Sequence, residues 1–411
     1  ALTRTLGGDD RATTLRVLDV ETPNLEALVN IACAQSDTSM VVYMAFAAIG
    51  FWAKFTYHCN TPQSFLSLEI AFSSLLTRWP DDPGLSDTHF WIGMLKLRAS
   101  DIKAAEEAYT AALHLYRKTG DRLGEANTLQ AQGELKLRMN DIQGAEHAYL
   151  KARSLFQKVE DGLGEANTLL SLGNLKLHSS DSEGAAKFYA EALRTYRQVK
   201  NRLGEANTLQ MQGLLALKQG NPLDAFALLR ETLTIQSTIT NALGEAASLG
   251  YMARTATRVG ASRHALVLGS RALRIMQKTE DQLGQQIAHI DLFEALMPIA
   301  PDAAVASLLQ AERLANAFKA PIAPALTTQL AALRNPDISE ADYAAWLDEL
   351  RNTGPAMLEA LFAQAEAMVQ RGELDPYTLP GDAGDAAAGA TGHDDDDDDP
   401  EPEPQGAVTH G

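Results

Sequence analysis

Cysteine is almost missing from this chain. Only Cys33 and Cys59 occur in 411 residues, and they have no metal-ligand spacing. A disulfide scaffold and a thiolate zinc module are thereby excluded, and a reducing compartment such as the cytoplasm suits the sequence. Long apolar runs are missing too. The most apolar stretch, residues 40–53, ends at Lys54. It falls short of the roughly 18 to 20 residues that a bilayer-spanning helix needs, so it reads as a buried helix and no membrane partner is expected. Positive charge is scarce: 35 Lys and Arg stand against 53 Asp and Glu, for a net charge of -18. A general nucleic-acid binder needs clustered cations on phosphates, so that class is excluded. Ten of the acids (Asp382, Asp385, Asp394 to Asp399, Glu401, Glu403) follow Pro380, where there is no Lys or Arg, which leaves the body at -8.

Catalytic punctuation is missing as well. There is no G-x-x-x-x-G-K-[ST] phosphate loop, no G-x-S-x-G elbow and no H-E-x-x-H pair among the nine His. No catalytic residue, metal or cofactor is expected, and the chain does not read as an enzyme. The first residues, ALTRTLGGDD, carry neither an initiator Met nor a signal-peptide pattern, and the chain reads as a piece of something larger.

What the chain has is a period of 40. RLGEANTLQAQGELKLRMND begins at Arg122, GLGEANTLLSLGNLKLHSSD follows from Gly162, and RLGEANTLQMQGLLALKQGN from Arg202. Leu123, Leu163, Leu203, Leu243 and Leu283 match in register, as do Ala105, Ala145, Ala185, Ala225 and Ala265. Each unit reads as two helices. Leu123, Ala126, Leu129, Gly133 and Leu137 recur at spacings of three and four, which predicts one apolar stripe. Asp121 is placed to cap that helix, and Asn140-Asp141 ends it and caps the next. Ile142, Ala145, Tyr149, Ala152, Leu155 and Phe156 give the second helix its own stripe. Turns this short force antiparallel neighbours. Gly133 and Ala145 sit mid-stripe, where a close approach of the partner backbone would explain a helical glycine.

The pattern resembles the tetratricopeptide repeat family, W-x2-L-G-x2-Y then A-x3-F then P. Leu172-Gly173 fits the L-G pair, whereas Gln132 and Gln212 depart from it. Ala105-x3-Tyr109, Ala145-x3-Tyr149 and Ala185-x3-Tyr189 fit the A-x3-aromatic step. The length of 40 is similar to the longer-helix branch found in kinesin light chains, polarity adaptors and sensor ends of signalling NTPases. The resemblance is strongest over 101–280. It implies an all-α, tetratricopeptide-like α-solenoid, a right-handed superhelix of antiparallel helix pairs. The expected layout is a helical lead-in at 1–40, repeats at 41–320 and capping helices at 321–378. An acidic tail at 379–411 cannot bury a core and is expected to be disordered. Thr61-Pro62 reads as the opening of a second helix in an earlier, degenerate unit. The capping part reads as two amphipathic runs, about 340–351 and 355–372.

The residues that change between copies carry the functional reading. Asn127, Ala131, Glu134 and Arg138 form a line about 100° around the helix from the apolar stripe. Its equivalents are Asp87, Trp91, Met94 and Arg98; Asn167, Ser171, Asn174 and His178; Asn207, Met211, Leu214 and Lys218; and Ala247, Tyr251, Arg254 and Arg258. In the resembled family this side lines a concave groove that takes peptides, which makes these positions the candidate partner-binding face. Two rows cross the stack. The first is Asn127, Asn167 and Asn207, which would either hold a partner's backbone or bond neighbouring helices. The second is Arg98, Arg138, His178, Lys218 and Arg258, which would either receive an acidic partner or simply end its helices favourably. Trp91, Met211 and Tyr251 read as apolar anchors or as core. The implied function is a protein or peptide scaffold, with the Asp394 to Asp399 run as a candidate competitor on the basic row. ETPNLEALVNIA, with Glu21, Asn24, Leu25 and Leu28, resembles segments following the nucleotide-binding module of fungal NLR-like STAND proteins. The alternative it implies is the sensor arm of an NTPase or CHAT-type protease.

Overall fold

A computed structural model describes residues 82–317 and 319–380, together with 27, 31, 34, 72–74 and 76–79. The readings placed on Cys33, Cys59, Glu21 to Leu28, Thr61-Pro62 and Asp394 to Asp399 lie outside the described residues. Among the described residues there are only helices: α1 (Ser86–Arg98), α2 (Ile102–Thr119), α3 (Arg122–Arg138), α4 (Ile142–Lys158), α5 (Gly162–His178), α6 (Ser182–Gln198), α7 (Arg202–Lys218) and α8 (Pro222–Thr238). They continue as α9 (Ala242–Arg258), α10 (Ser262–Lys278), α11 (Gln282–Leu296), α12 (Pro301–Ala317), α13 (Ala323–Ala332) and α14 (Glu340–Gln370). Two compact units result. One runs to Asn221 and takes in Ala227–Asn241; the other comprises Pro222–Phe226 and everything from Ala242 onward. The architecture is an all-α solenoid of consecutive helix pairs.

The chemical period is 40, but the backbone period is half of it. A left-handed residue recurs at Ser100, Gly120, Asn140, Glu160, Ser180, Lys200, Gly220, Thr240, Gly260 and Glu280. Each closes the helix before it in the same way. The Asn140 N–H donates to Leu137 O at 2.9 Å and the Asp141 N–H to Lys136 O at 2.8 Å, which satisfies the last carbonyls of α3. In most of these turns the next residue then caps the next helix, as Asp121 accepts from the Gly124 N–H at 2.9 Å and Asp141 from the Gly144 N–H at 2.8 Å, whereas Asn221 and Ala261 give no side-chain cap. One αL residue and one cap make the whole turn, as the sequence predicted for Asp121 and Asn140-Asp141.

Thr240 is the misfit in this series, a β-branched residue at φ 55°. Left-handed backbone costs such a residue about 1–2 kcal/mol. Thr240→Gly is therefore expected to raise stability by about 1 kcal/mol in urea unfolding; a fall in the midpoint would show the turn to be unstrained.

Within the first unit the first helices α3, α5 and α7 each lie between two second helices, so they bury two sides rather than one. In α3 the buried set is Gly124, Ala126, Thr128, Leu129, Ala131, Gly133 and Leu135. Both glycines of the repeat are explained by aromatic rings, not by backbone approach. A Cβ on Gly133 would lie 2.5 Å from the Tyr149 ring, and one on Gly173 would lie 2.4 Å from the Tyr189 ring. A Cβ on Gly124, Gly164 or Gly204 would lie 2.2, 2.3 or 2.2 Å from Tyr116, Phe156 or Tyr196. The second helices thus seat one ring on the first helix of their own pair and another on the first helix of the next.

The glutamate of LGEA is structural too. Glu125 pairs with Arg117 at 2.6 Å, Glu165 with Arg153 at 3.4 Å and Glu205 with Arg197 at 2.8 Å. Arg153 and Arg197 also reach the following second helix, at Glu191 (2.7 Å) and Glu231 (2.9 Å).

In the second unit α14 departs from the expected pair of capping helices. It is one helix of 31 residues with Pro355 inside it. The side chains of Asn352 and Thr353 bond the carbonyls of Asp348 and Glu349 in the turn before the proline. Gly354 lets the helix approach α12, where an added Cβ would lie 2.5 Å from the Ala306 Cβ. Arg271 of α10 clamps the far end, donating to both oxygens of Glu366 at 3.2 and 2.7 Å and to the Tyr377 hydroxyl at 2.9 Å. Among the described residues no helix is long and apolar enough to cross a membrane.

Candidate partner-binding face

Sandwiching leaves each first helix a narrow exposed line. On α3 it comprises Leu123, Asn127, Glu134 and Arg138, with Gln130 half-buried between them. On α5 it comprises Leu163, Asn167, Asn174 and His178, and on α7 Leu203, Asn207 and Lys218 with Leu214 half-buried. The leucines are a correction to the sequence reading, which put Leu123 in the core stripe. Leu123, Leu163 and Leu203 are 45%, 42% and 46% exposed. Their signal was available, since each lies four residues before an Asn already assigned to the exposed line. Ala131 moves the other way, into the core beside Tyr109 and Leu135. Successive first helices of the unit touch one another, α1 with α3, α3 with α5 and α5 with α7.

Of the Asn row, Asn167 is tied into the fold at one end of its amide. Asn167 Oδ1 accepts from the Tyr196 hydroxyl at 2.6 Å, and Asp87, its counterpart on α1, accepts from the Tyr116 hydroxyl at 2.5 Å. Burial pushes Tyr196 up to about 12, so its hydroxyl keeps the proton it donates. On α4 the matching residue is Phe156, which has no hydroxyl to give to Asn127. The Asn167 Nδ2 has no hydrogen-bond partner among the described residues and remains a donor to anything laid across it. Asn174 is held likewise, accepting from Tyr189 at 2.8 Å.

The basic row is partly spent on the fold. Arg138 donates Nη1 to Leu97 O at 2.9 Å and pairs Nη2 with Glu134 at 3.1 Å. Lys218 Nζ reaches Leu177 O at 3.4 Å. Both cations therefore sit on the C-terminal carbonyls of a neighbouring first helix, where the helix dipole favours them. His178 is exposed at the end of α5, and Arg98 and Arg258 are exposed at the ends of α1 and α9. Trp91 is half-buried, edge-on to Phe90 at 5.0 Å. Met211 packs on the Tyr189 and Leu215 cluster.

In the second unit, Tyr251 lies under the Arg254 guanidinium, 5.4 Å from ring to carbon. Arg254 Nε donates to Asp291 Oδ1 at 2.8 Å. Burial raises the Asp291 carboxyl to about 6 against the pull of that guanidinium.

Residues 164–238 match the tetratricopeptide repeat family model. The match identifies tetratricopeptide repeats within that segment. The sequence finds no match among curated proteins. Solved structures share the fold of these tetratricopeptide repeats. One is a STAND protein (Signal Transduction ATPase with Numerous Domains) with a tetratricopeptide repeat sensor from Pyrococcus horikoshii, at 14% identity and a TM-score of 0.56. The match covers 89% of this chain but 56% of that one. Aspartyl phosphate phosphatase F from Bacillus subtilis matches at 13% identity and a TM-score of 0.55, over 92% and 96% of the two chains. A Rap protein complexed with Competence and Sporulation Factor matches at 12% identity and a TM-score of 0.51, over 83% and 99%. Among the described residues of the tetratricopeptide repeats, no group of three or more His, Cys, Asp and Glu is placed to hold a metal.

Proposed function

We propose that the chain is a protein-interaction scaffold that holds a peptide or protein segment across the exposed line of its first helices. The observation that carries this reading is the row Leu123, Leu163 and Leu203 beside the row Asn127, Asn167 and Asn207 on the face where successive first helices meet. Scattered exposed leucines need no explanation, but a periodic apolar row flanked by amide donors is a surface built for contact. Asn174, His178, Arg98, Arg138 and Lys218 border it, so the ends of the face take acidic residues while the middle takes apolar ones. Glu134 sits within that border and, paired with Arg138, trims its positive charge. The Asp394 to Asp399 run, as an acidic segment of the same chain, is one competitor for those ends.

Peptide display on the full chain tests the reading. Selected peptides should bind Leu163→Asp at least tenfold more weakly and bind Lys187→Asp, altered on the outer face of α6, unchanged. Equal binding to both variants would remove the exposed line from the function. The fold shared with the STAND protein's sensor also supports the second reading, a sensor arm joined to a signalling NTPase.

A further inference from the structure

One helical glycine in the repeats seats nothing. Gly133, Gly173, Gly124, Gly164 and Gly204 each receive a ring, but a Cβ on Gly250 would meet no atom within 4 Å. Its backbone is ordinary helix, so neither conformation nor packing requires it there. A glycine in mid-helix costs about 1 kcal/mol relative to alanine. Position for position, α3, α5 and α7 carry Gln130, Leu170 and Gln210 at this place. The same face of α9 departs from those copies three more times: Ala247 replaces Asn, Tyr251 replaces Ala131, and Arg254 replaces Glu134. All four changes line one cleft of about 220 Å³ between α9 and α11.

The cleft has an apolar rim and a polar floor. Leu243, Leu283 and Ile287 stand 53%, 65% and 38% exposed around it. Below them is the Arg254–Asp291 pair, whose carboxylate side chain is 10% exposed. Only Arg254 Nε and Asp291 Oδ1 are used in that pair. The two terminal nitrogens of Arg254 and Asp291 Oδ2 have no hydrogen-bond partner among the described residues. Donors and an acceptor side by side match the C=O and N–H of a peptide unit. The surrounding charge selects further. Arg254 faces Asp281, Asp291 and the field of Glu294, one cation against three carboxylates. An acidic segment is repelled here.

We propose that the cleft between α9 and α11 is a subsite for one bulky aliphatic side chain of an extended, neutral or basic peptide segment, whose backbone Arg254 and Asp291 hold. This rests on the scaffold reading above and assigns the second unit an occupant of different charge from the one the basic row would choose.

The test uses methyl-labelled full-length chain and the probe peptide acetyl-Ser-Gly-Leu-Gly-Ser-amide. The methyl resonances of Leu243, Leu283 and Ile287 should shift and saturate. Replacing the probe's leucine by alanine should weaken binding at least tenfold, since about 0.8 kcal/mol is lost per buried methylene. Lys flanks in place of Ser should tighten binding, and Glu flanks should weaken it. Gly250→Leu should abolish the response without lowering the melting temperature, because the added side chain fills space that is empty. Gly250→Gln, the residue α3 and α7 already carry, serves if the leucine variant folds poorly. A response that survives in the plugged variant, that falls only on Leu123, Leu163 and Leu203, or that does not occur overturns the subsite. The display experiment with Leu163→Asp reads the first unit alone, so loss of the subsite and loss of the scaffold reading are separate outcomes.

Discussion

Replacing Gly173 by leucine is expected to lower the unfolding free energy by about 3 kcal/mol, at the upper end of what overpacking costs. The Tyr189 ring fills the space that even a single carbon on Gly173 would need, at 2.4 Å, and the ring is fully buried. Gly173→Ala is the sharper variant because two effects oppose. Alanine favours the helix by about 1 kcal/mol, while the clash forces a buried ring to move. The clash is expected to win, leaving a net loss of about 1 kcal/mol. Adding Tyr189→Leu should recover much of it, and the double-mutant cycle should give a coupling of opposite sign to the single losses. A Gly173→Ala chain more stable than the parent would show that the ring has room to retreat.

Acid is the second large lever. His89 and His289 are buried, and burial pushes both imidazoles down to about 4 from an ordinary value of 6.5. His289 Nδ1 lies 3.0 Å from Ser307 Oγ, and that hydroxyl donates to His289 O at 3.0 Å, so Nδ1 carries the proton of the neutral ring. The Nε2 of His89 has no hydrogen-bond partner among the described residues. Because the unfolded chain binds these protons more tightly, their contribution is complete above about pH 6.5 and is lost as pH falls toward 4. A full shift of this size corresponds to about 3 kcal/mol per histidine. Asp291 runs the other way. With its carboxyl raised to about 6, the folded chain takes that proton first, and stability is gained as pH falls below 6. It therefore offsets part of the His289 loss in the second unit. Hydrogen exchange between pH 7.5 and 4.5 should show α1 losing protection more steeply than α11. His89→Leu should flatten the α1 response; equal slopes in that variant and the parent would remove His89 as the cause.

Much of this molecule is written in its sequence, and the omissions follow a rule. Helix ends were legible because caps and turns are local: Asp121 and Asn140-Asp141 act where a one-dimensional reading puts them. Which side of a helix faces water was less legible. A stripe count finds one apolar face, but α3 buries two, so Leu123 was assigned inward and Ala131 outward. The glycines were recognised as close contacts, yet the contact is a ring from a helix many residues away, which spacing along one helix does not reveal. For Arg138 and Lys218 the sequence leaves open a partner-binding row or a role at helix ends, because the carbonyls they reach, Leu97 and Leu177, belong to another repeat. The two capping runs, about 340–351 and 355–372, are one continuous helix past Pro355, with Gly354 seated closely on α12.

The twenty-residue beat of the backbone makes length a quantity this chain changes in whole steps. Were residues 141–180 absent, Asn140 would adjoin Asp181, and the turn would form from the same αL residue and the same cap. Tyr189 would find Gly133 in place of Gly173, Tyr196 would find Asn127 in place of Asn167, and Lys218 would find Leu137 in place of Leu177. No ring, cap or cation would be left without its receptor. A neighbour in these repeats is defined by offset rather than by identity, so losing or gaining one period shortens or lengthens the exposed leucine row by one tooth. The reach of the surface, and with it the length of segment it can hold, is therefore separable from the stability of the fold that carries it.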